Sequence, residues 1–383
     1  MRIQKVFFLL IFLVFSHFSE AQLNNTALLQ QVPVRERNAN ELRIEVQALG
    51  FLKNNEYFNK IADGYTLFGY QLNPKLSYQP SADVKVEAGA LLWKDFGASG
   101  YESISPTFTV KVKRAQWELL FGTLEGNLNH GYIEPLYDFE RLLLNRLENG
   151  IQYKLHTQRL RLDAWVDWVN MLYRGEQEQE QIHGGAAVAI RLLEQEGRGN
   201  LGDSLYLTLP LQFTAQHKGG QIDASELPLT TLVNVAVGLE LEKKYSRRVL
   251  QRLYTMNYLV GFKDFSNELQ LPYEQGHGLY VNIGADTKYQ DVMLSYWRGD
   301  GYISELGGRL YQSASTTFKN PDYLEEEREL LILRLMKDIA LLDNLTLTLR
   351  LEPLVDFNDP KLEFSSGFYL NFNTDFFVAR PRQ

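Results

Sequence analysis

Between Asp203 and Gln216 the chain alternates without a break. Leu205, Leu207, Leu209, Leu211, Phe213 and Ala215 take every second place, with Tyr206, Thr208, Pro210, Gln212, Thr214 and Gln216 between them. In an extended chain successive side chains leave on opposite faces, so this stretch makes one strand with an apolar face and a wet face. A soluble sandwich also contains such strands. What constrains the fold is how often the pattern returns.

It starts at Leu42–Ala48 and returns at Asp83–Trp93, Ile104–Lys113, Arg159–Val169, Thr231–Glu242, Glu329–Ile339 and Leu345–Leu351, with less regular copies between. The last copy, Leu362–Phe377, ends the series. The count comes to about sixteen strands, within a range of roughly fourteen to eighteen. Long connections fall at Lys53–Tyr65, Lys94–Ser103, Thr123–Asn149, Asn170–Glu180, His217–Leu229, Lys263–Gly276, Gly299–Arg328 and Asp356–Lys361. Short ones fall between them, as at Pro80-Ser81 and Leu342-Asp343.

Connections sorted by parity are expected of a transmembrane barrel with tight periplasmic turns and longer extracellular loops. A sandwich gives no reason for such sorting. No later window is apolar for the ~18 residues that a spanning helix needs. Open sheet edges cannot sit in lipid, so a membrane protein of this composition must close into a ring. The expected fold is all-β: a single closed antiparallel transmembrane β-barrel over residues 41–383, in the outer membrane of a bacterial cell, with outer-membrane lipid as its surroundings.

The ends read differently. Arg2 and Lys5 precede the apolar run Val6–Phe15, and Ser19-Glu20-Ala21 supplies small residues before a cut. Residues 1–21 are therefore expected to be a cleaved signal peptide. Residues 22–40 are polar and without period, and are expected to be a flexible periplasmic segment. The chain has no Cys, which excludes both a disulfide scaffold and a lipoprotein anchor. Acids outnumber bases 47 to 39, which gives nucleic acid no footing as a partner.

Near the end, Ser365-Ser366-Gly367-Phe368-Tyr369-Leu370-Asn371-Phe372 resembles the C-terminal β-signal of bacterial outer-membrane proteins, with Gly367, Leu370 and Phe372 at its marked places. The resemblance implies the barrel-assembly machinery as a partner in biogenesis. The chain departs from the pattern by running on from Phe377 to Gln383. The stretches Gly122–His130 and Ile133–Glu140 resemble a marker of the porin-like barrels of the Bacteroidota. That resemblance supports fold and location and transfers no catalytic residue.

A barrel of this size leaves an aqueous channel. Its expected lumen wall carries both signs: Lys85, Glu87, Lys111, Lys113, Arg161, Asp163, Asp167, Glu240, Arg334 and Arg350. The connection Thr123–Asn149 follows the fifth strand and is a candidate constriction, with Glu125, Asn127, Asn129, His130, Glu134, Asp138, Glu140, Arg141 and Arg146. Phe139, Leu142, Leu143 and Leu147 would form the apolar side of a short helix. Two placements fit: folded into the lumen, or packed over the rim. If inside, its acids are expected to face wall bases such as Arg161 or Lys111 against Glu134 or Asp138. The histidines His130, His156, His183, His217 and His277 form no recognised metal pair, and neither HExxH nor GxSxG occurs.

The expectation is a non-enzymatic porin-like channel without cofactor or metal, passing small hydrophilic solutes by diffusion. The alternative is a non-conducting structural or binding barrel. It would engage a surface glycan or a secretion partner through Gly299–Arg328 and Thr123–Asn149.

Overall fold

In the computed structural model, residues 25–381 are described, apart from 32, 198–201 and 247. The expected signal peptide, 1–21, lies outside the described residues. The first eight strands are β1 (Glu41–Glu56), β2 (Tyr65–Gln79), β3 (Val84–Asp95), β4 (Ser103–Arg114), β5 (Trp117–Thr123), β6 (Asn149–His156), β7 (Leu160–Asn170) and β8 (Gln181–Gln195). The rest are β9 (Ser204–Lys218), β10 (Thr230–Lys244), β11 (Leu250–Asp264), β12 (Gln275–Thr287), β13 (Asp291–Asp300), β14 (Glu327–Leu342), β15 (Leu345–Asp356) and β16 (Leu362–Ala379). Each pairs antiparallel with its sequence neighbours, and β16 returns to pair with β1, so the sheet is a closed sixteen-stranded barrel among the described residues. Closure removes the open edges that lipid does not tolerate.

Burial along the strands is inverted relative to a soluble protein. In β9, Gln212, Thr214 and Gln216 are buried while Leu211 and Phe213 are 38% and 41% exposed. Phe121, Leu259 and Ile283 also point outward with more than half their surface free. Buried polar and exposed apolar side chains in strict alternation fit a wall whose outside is lipid. This outer-membrane barrel is what the alternation predicted. Each connection at the long-loop end is longer than the turns on either side of it. Residues 124–148 and 301–326 are the longest connections and lie at one end, whereas 357–361 is shorter than the turn-side connection 196–203.

The lumen differs more from expectation. An aromatic core fills part of it, joining Tyr132, Ile133, Leu136 and Tyr137 of the 124–148 connection to Tyr302, Leu306 and Tyr311 of 301–326. Trp165 and Trp297 stand inside this core, not in a girdle at the membrane surface, because each lies on the inward parity of its strand. The first half of 301–326, expected outside as a partner loop, therefore dips inward.

A second cluster joins Leu28, Leu49, Phe51, Phe139, Leu142, Leu143 and Tyr369. Leu28 belongs to the segment expected to be flexible. Its described residues are instead held against the inner wall. Asn371 donates to the Ala27 carbonyl at 2.7 Å, Gln30 donates to the Ala48 carbonyl at 2.9 Å, and Gln79 donates to the Arg35 carbonyl at 2.8 Å. Within the stretch that resembles a β-signal, Leu370 and Phe372 alternate with the buried Tyr369 and Asn371, and Gly367 shares the inward face with Tyr369.

Candidate functional site

The 124–148 connection crosses the lumen from wall to wall. Gly122 launches it with φ at +105°, and a side chain there would meet the Phe108 carbonyl oxygen at 2.1 Å. Only glycine fits that backbone and that approach. Glu125 is then clamped between two wall lysines, with Lys111 at 2.9 Å and Lys154 at 2.6 Å. Burial opposes its ionisation, but the two ammonium groups prevail and hold its carboxyl well below the usual range. The side chains of Asn127 and Asn129 lie outside what is described.

His130 is the buried centre of the near wall. Its Nε2 lies 2.7 Å from Glu148 and its Nδ1 3.2 Å from Asp163 of β7, and its ring stacks on Trp165 with centroids 4.6 Å apart. Tyr137 donates to the other oxygen of Glu148. Burial alone would push the imidazole down, yet the carboxylates of Glu148 and Asp163 raise it to about 9. Burial likewise favours a protonated Glu148, but His130 lowers it from its ordinary value. The imidazolium has a carboxylate at each nitrogen and no free lone pair, so it cannot act as a base there.

Farther on, the Ile133 amide donates to Gln212 at 3.0 Å, and the Tyr132 hydroxyl donates to the Phe213 carbonyl at 3.0 Å. Glu134 then reaches the far side of the ring. It pairs with Arg334 of β14 and, at 3.5 Å, with Arg350 of β15, and it accepts from Tyr311 at 2.9 Å. Both arginines also hold Glu352, at 3.0 and 2.7 Å. Glu140 lies 3.4 Å from Lys53, and Asp138 accepts from the Glu140 amide at 3.0 Å. The helix is a single turn, α1 (Arg141–Leu144), with Leu142 and Leu143 buried as expected. Arg146 lies beyond it and donates to Gln71 at 2.9 Å and to Gln30 of the N-terminal segment.

The expected pairings change accordingly. Glu134 meets Arg334 and Arg350 instead of Arg161 or Lys111. Lys111 serves Glu125 and, at 2.7 Å, Glu118, while Arg161 abuts Gly131. Lys85 pairs with Glu45 at 2.8 Å and Glu87 at 2.5 Å, Asp167 accepts from the Asn149 amide at 2.7 Å, and Glu240 accepts from Tyr258. Lys113 departs from the rest: its side chain is 40% exposed and bonds Glu118 at 3.0 Å. The wall charges thus engage one another or the crossing connection.

A different pair faces outward. His217 and Thr231 are directly opposite across β9 and β10, with Nδ1 and Oγ1 2.9 Å apart. By parity they share the lipid-facing side with Phe213 and Val235, and they sit where the two strands meet the long-loop end. The Thr231 amide donates to the Ser266 hydroxyl at 2.9 Å, which fixes the backbone. The alternation pattern leaves His217 in a loop. Extending β9 by two residues is the signal that places it beside Thr231.

Among known families, the model of the lipid A 3'-O-deacylase type matches residues 34–381, nearly the whole described chain. The chain belongs to that family. The expectation of a protein that is not an enzyme is thereby corrected, because this deacylase-type family is named for an enzyme activity. No curated protein matches the chain. Solved outer-membrane proteins are similar at low identity. A loop-deletion mutant of OmpT from Vibrio cholerae has a TM-score of 0.49 and 10% identity, with 87% of this chain and 99% of that one covered. An anion-selective porin from Comamonas acidovorans has a TM-score of 0.48 and 12% identity, covering 88% and 100%. OprD from Pseudomonas aeruginosa has a TM-score of 0.45 and 11% identity, covering 90% and 97%.

Proposed function

We propose that this deacylase-type barrel hydrolyses an acyl ester of a lipid A-type lipid, at its lipid-facing rim. The observation that carries the reading is the family match over residues 34–381. The geometry adds where the chemistry would occur. The buried His130 is locked as an imidazolium, whereas His217 and Thr231 form a hydroxyl–imidazole pair open to the lipid side. Nucleophilic catalysis needs a hydroxyl with a base in hydrogen-bond reach.

In the proposed step, His217 takes the Thr231 proton as Oγ1 attacks the acyl carbonyl carbon. The ester C–O bond breaks and the imidazolium returns the proton to the departing alkoxide. Water then hydrolyses the acyl-threonine and releases the fatty acid. Purified protein in mixed micelles with lipid A should release fatty acid, and Thr231→Ala or His217→Gln should cut the rate by about 10²–10⁴, as for loss of a general base. Full release by both folded variants would remove the pair from the mechanism. No release by the parent chain would remove the hydrolase reading itself.

The second reading is passage of small hydrophilic solutes, favoured by the charged lumen wall and by a cavity of ≈ 550 Å³ above α1. Planar-bilayer conductance tests it. A pure, folded protein that never opens steps would leave the lumen as scaffold.

A further inference from the structure

The cavity above α1 has walls from several strands. Asp167, His183 and Gln216 stand at one height on β7, β8 and β9, because Asp167 faces His183 and His183 faces Gln216 in register. The carboxamide nitrogens of Gln181 and Gln216 each lie 3.2 Å from His183 Nε2. Two donors at Nε2 make it the acceptor, so the ring proton sits on Nδ1. That Nδ1 has no partner, and neither does Gln216 Oε1, although the residues are only 6% and 5% exposed. Arg141 lines the same cavity from below, with its Nε also unpartnered and its guanidinium 4.9 Å from the Tyr137 ring.

A buried polar group without a partner costs about 1–3 kcal/mol. Three such groups belong to residues that line one cavity and are closed to solvent as they stand, so side chains turned toward an occupant that both donates and accepts would satisfy them, and hydroxyl groups do both. Arg141, Arg146 and Lys218 outnumber Asp167 and Glu305 around the cavity. Asp167 is engaged by the Asn149 amide, and Glu305 lies 3.7 Å from Lys218. Trp93 lines the same cavity from β3 and brings an apolar ring system of the size of a sugar ring. The volume, ≈ 550 Å³, falls within the roughly 300–1,000 Å³ of small-molecule sites.

We propose that this cavity is a binding site for an acidic sugar, with His183 and Gln216 on its hydroxyls and Arg141 on its anionic group. The site is inside the barrel and does not depend on the ester-hydrolase reading.

The test uses the purified full chain in detergent, with glucuronate, glucose, acetate and inorganic phosphate as probes in titration calorimetry. Saturable binding of glucuronate is expected, at least about tenfold tighter than glucose or either simple anion. His183→Ala and Gln216→Leu should each weaken glucuronate by about tenfold or more. Arg141→Gln should abolish the preference for glucuronate over glucose, and Lys218→Gln, at the cavity edge, offers the same charge test should Arg141→Gln fail to fold. Fatty-acid release should be unchanged in His183→Ala and Gln216→Leu, so the two readings fail separately. The proposal is overturned by a folded parent chain that binds no glucuronate. It is equally overturned by phosphate or acetate binding as tightly, or by variants that bind as the parent does.

Discussion

His130 Nε2 lies 2.7 Å from a carboxylate oxygen of Glu148, and neither side chain is reached by solvent. This bond ties the start of the lumen-crossing connection to its end. With the imidazole raised to about 9 from its ordinary 6.5, the tie contributes its full stability below pH 6.5 and loses it as pH climbs through 9. The lowered Glu148 acts in the other direction: its contribution is present above its ordinary value of 4.5 and is lost in acid. Thermal unfolding followed by gel migration should therefore show stability falling between pH 6.5 and about 9. Each pH step of one across that window removes ~1.4 kcal/mol, so the whole fall is on the order of 3 kcal/mol. His130→Gln should flatten that slope. An unchanged alkaline slope in the variant would show that the tie is not the titrating element.

Glu134 is the far anchor. Glu134→Gln leaves Arg334 and Arg350 to share Glu352 alone. Breaking one partner out of a buried ion network costs roughly 3–5 kcal/mol. The variant should insert and close normally, since the wall is intact, but unfold at a lower temperature. Glu134→Asp, which keeps the charge, should recover part of the loss. A Gln variant as stable as the parent would mean that this far anchor adds nothing to the barrel's stability.

The strands are legible in the sequence because alternation is a relation between neighbours, and β9 shows it from Leu205 to Ala215. The inward face of Asp163 and Arg334 follows from the same parity. The partners of the crossing connection are not legible. Glu134 meets Arg334, 200 positions away, and nothing local says which wall a connection of that length will touch. The N-terminal segment misleads for a similar reason: Leu28 stands in a short run, Ala27-Leu28-Leu29, that has no period, and its pocket is assembled from the distant Leu49, Tyr369 and Leu142. His217 is hidden by a strand boundary, the least reliable part of any pattern reading.

The N-terminal segment and the 124–148 connection both lie inside the barrel, and they are bonded to each other through Gln30 and Arg146. Removing residues 25–31 withdraws Leu28 from its pocket and leaves the 124–148 connection in place. Removing Leu128–Arg141 does the reverse. Each deletion alone should give little conductance in planar bilayers, and the two together should give large steps, with heat-modifiable migration kept throughout. Large steps from the N-terminal deletion alone would show that the crossing connection is no barrier.

Gly367 and Tyr369 lie on the same inward face of β16, and a methyl group on Gly367 would come within 2.5 Å of the Tyr369 ring. Tyr369 is fully buried and packs edge-on against Phe139 of the crossing connection, with centroids 5.7 Å apart, so its ring has nowhere to swing. Gly367→Ala should therefore overpack the wall and cost about 1–3 kcal/mol. Tyr369→Ala should cost about 3–5 kcal/mol, as for other large aromatic truncations in cores. In the double variant the added methyl meets empty space, so Gly367→Ala should cost far less in the Tyr369→Ala background. A coupling of about 0.5–3 kcal/mol between the two is expected from contacting residues. Additive losses would mean that Gly367 is required for something other than room for the ring, such as its place in the stretch that resembles a β-signal, and slower assembly of Gly367→Ala in either background would then be the measurable consequence.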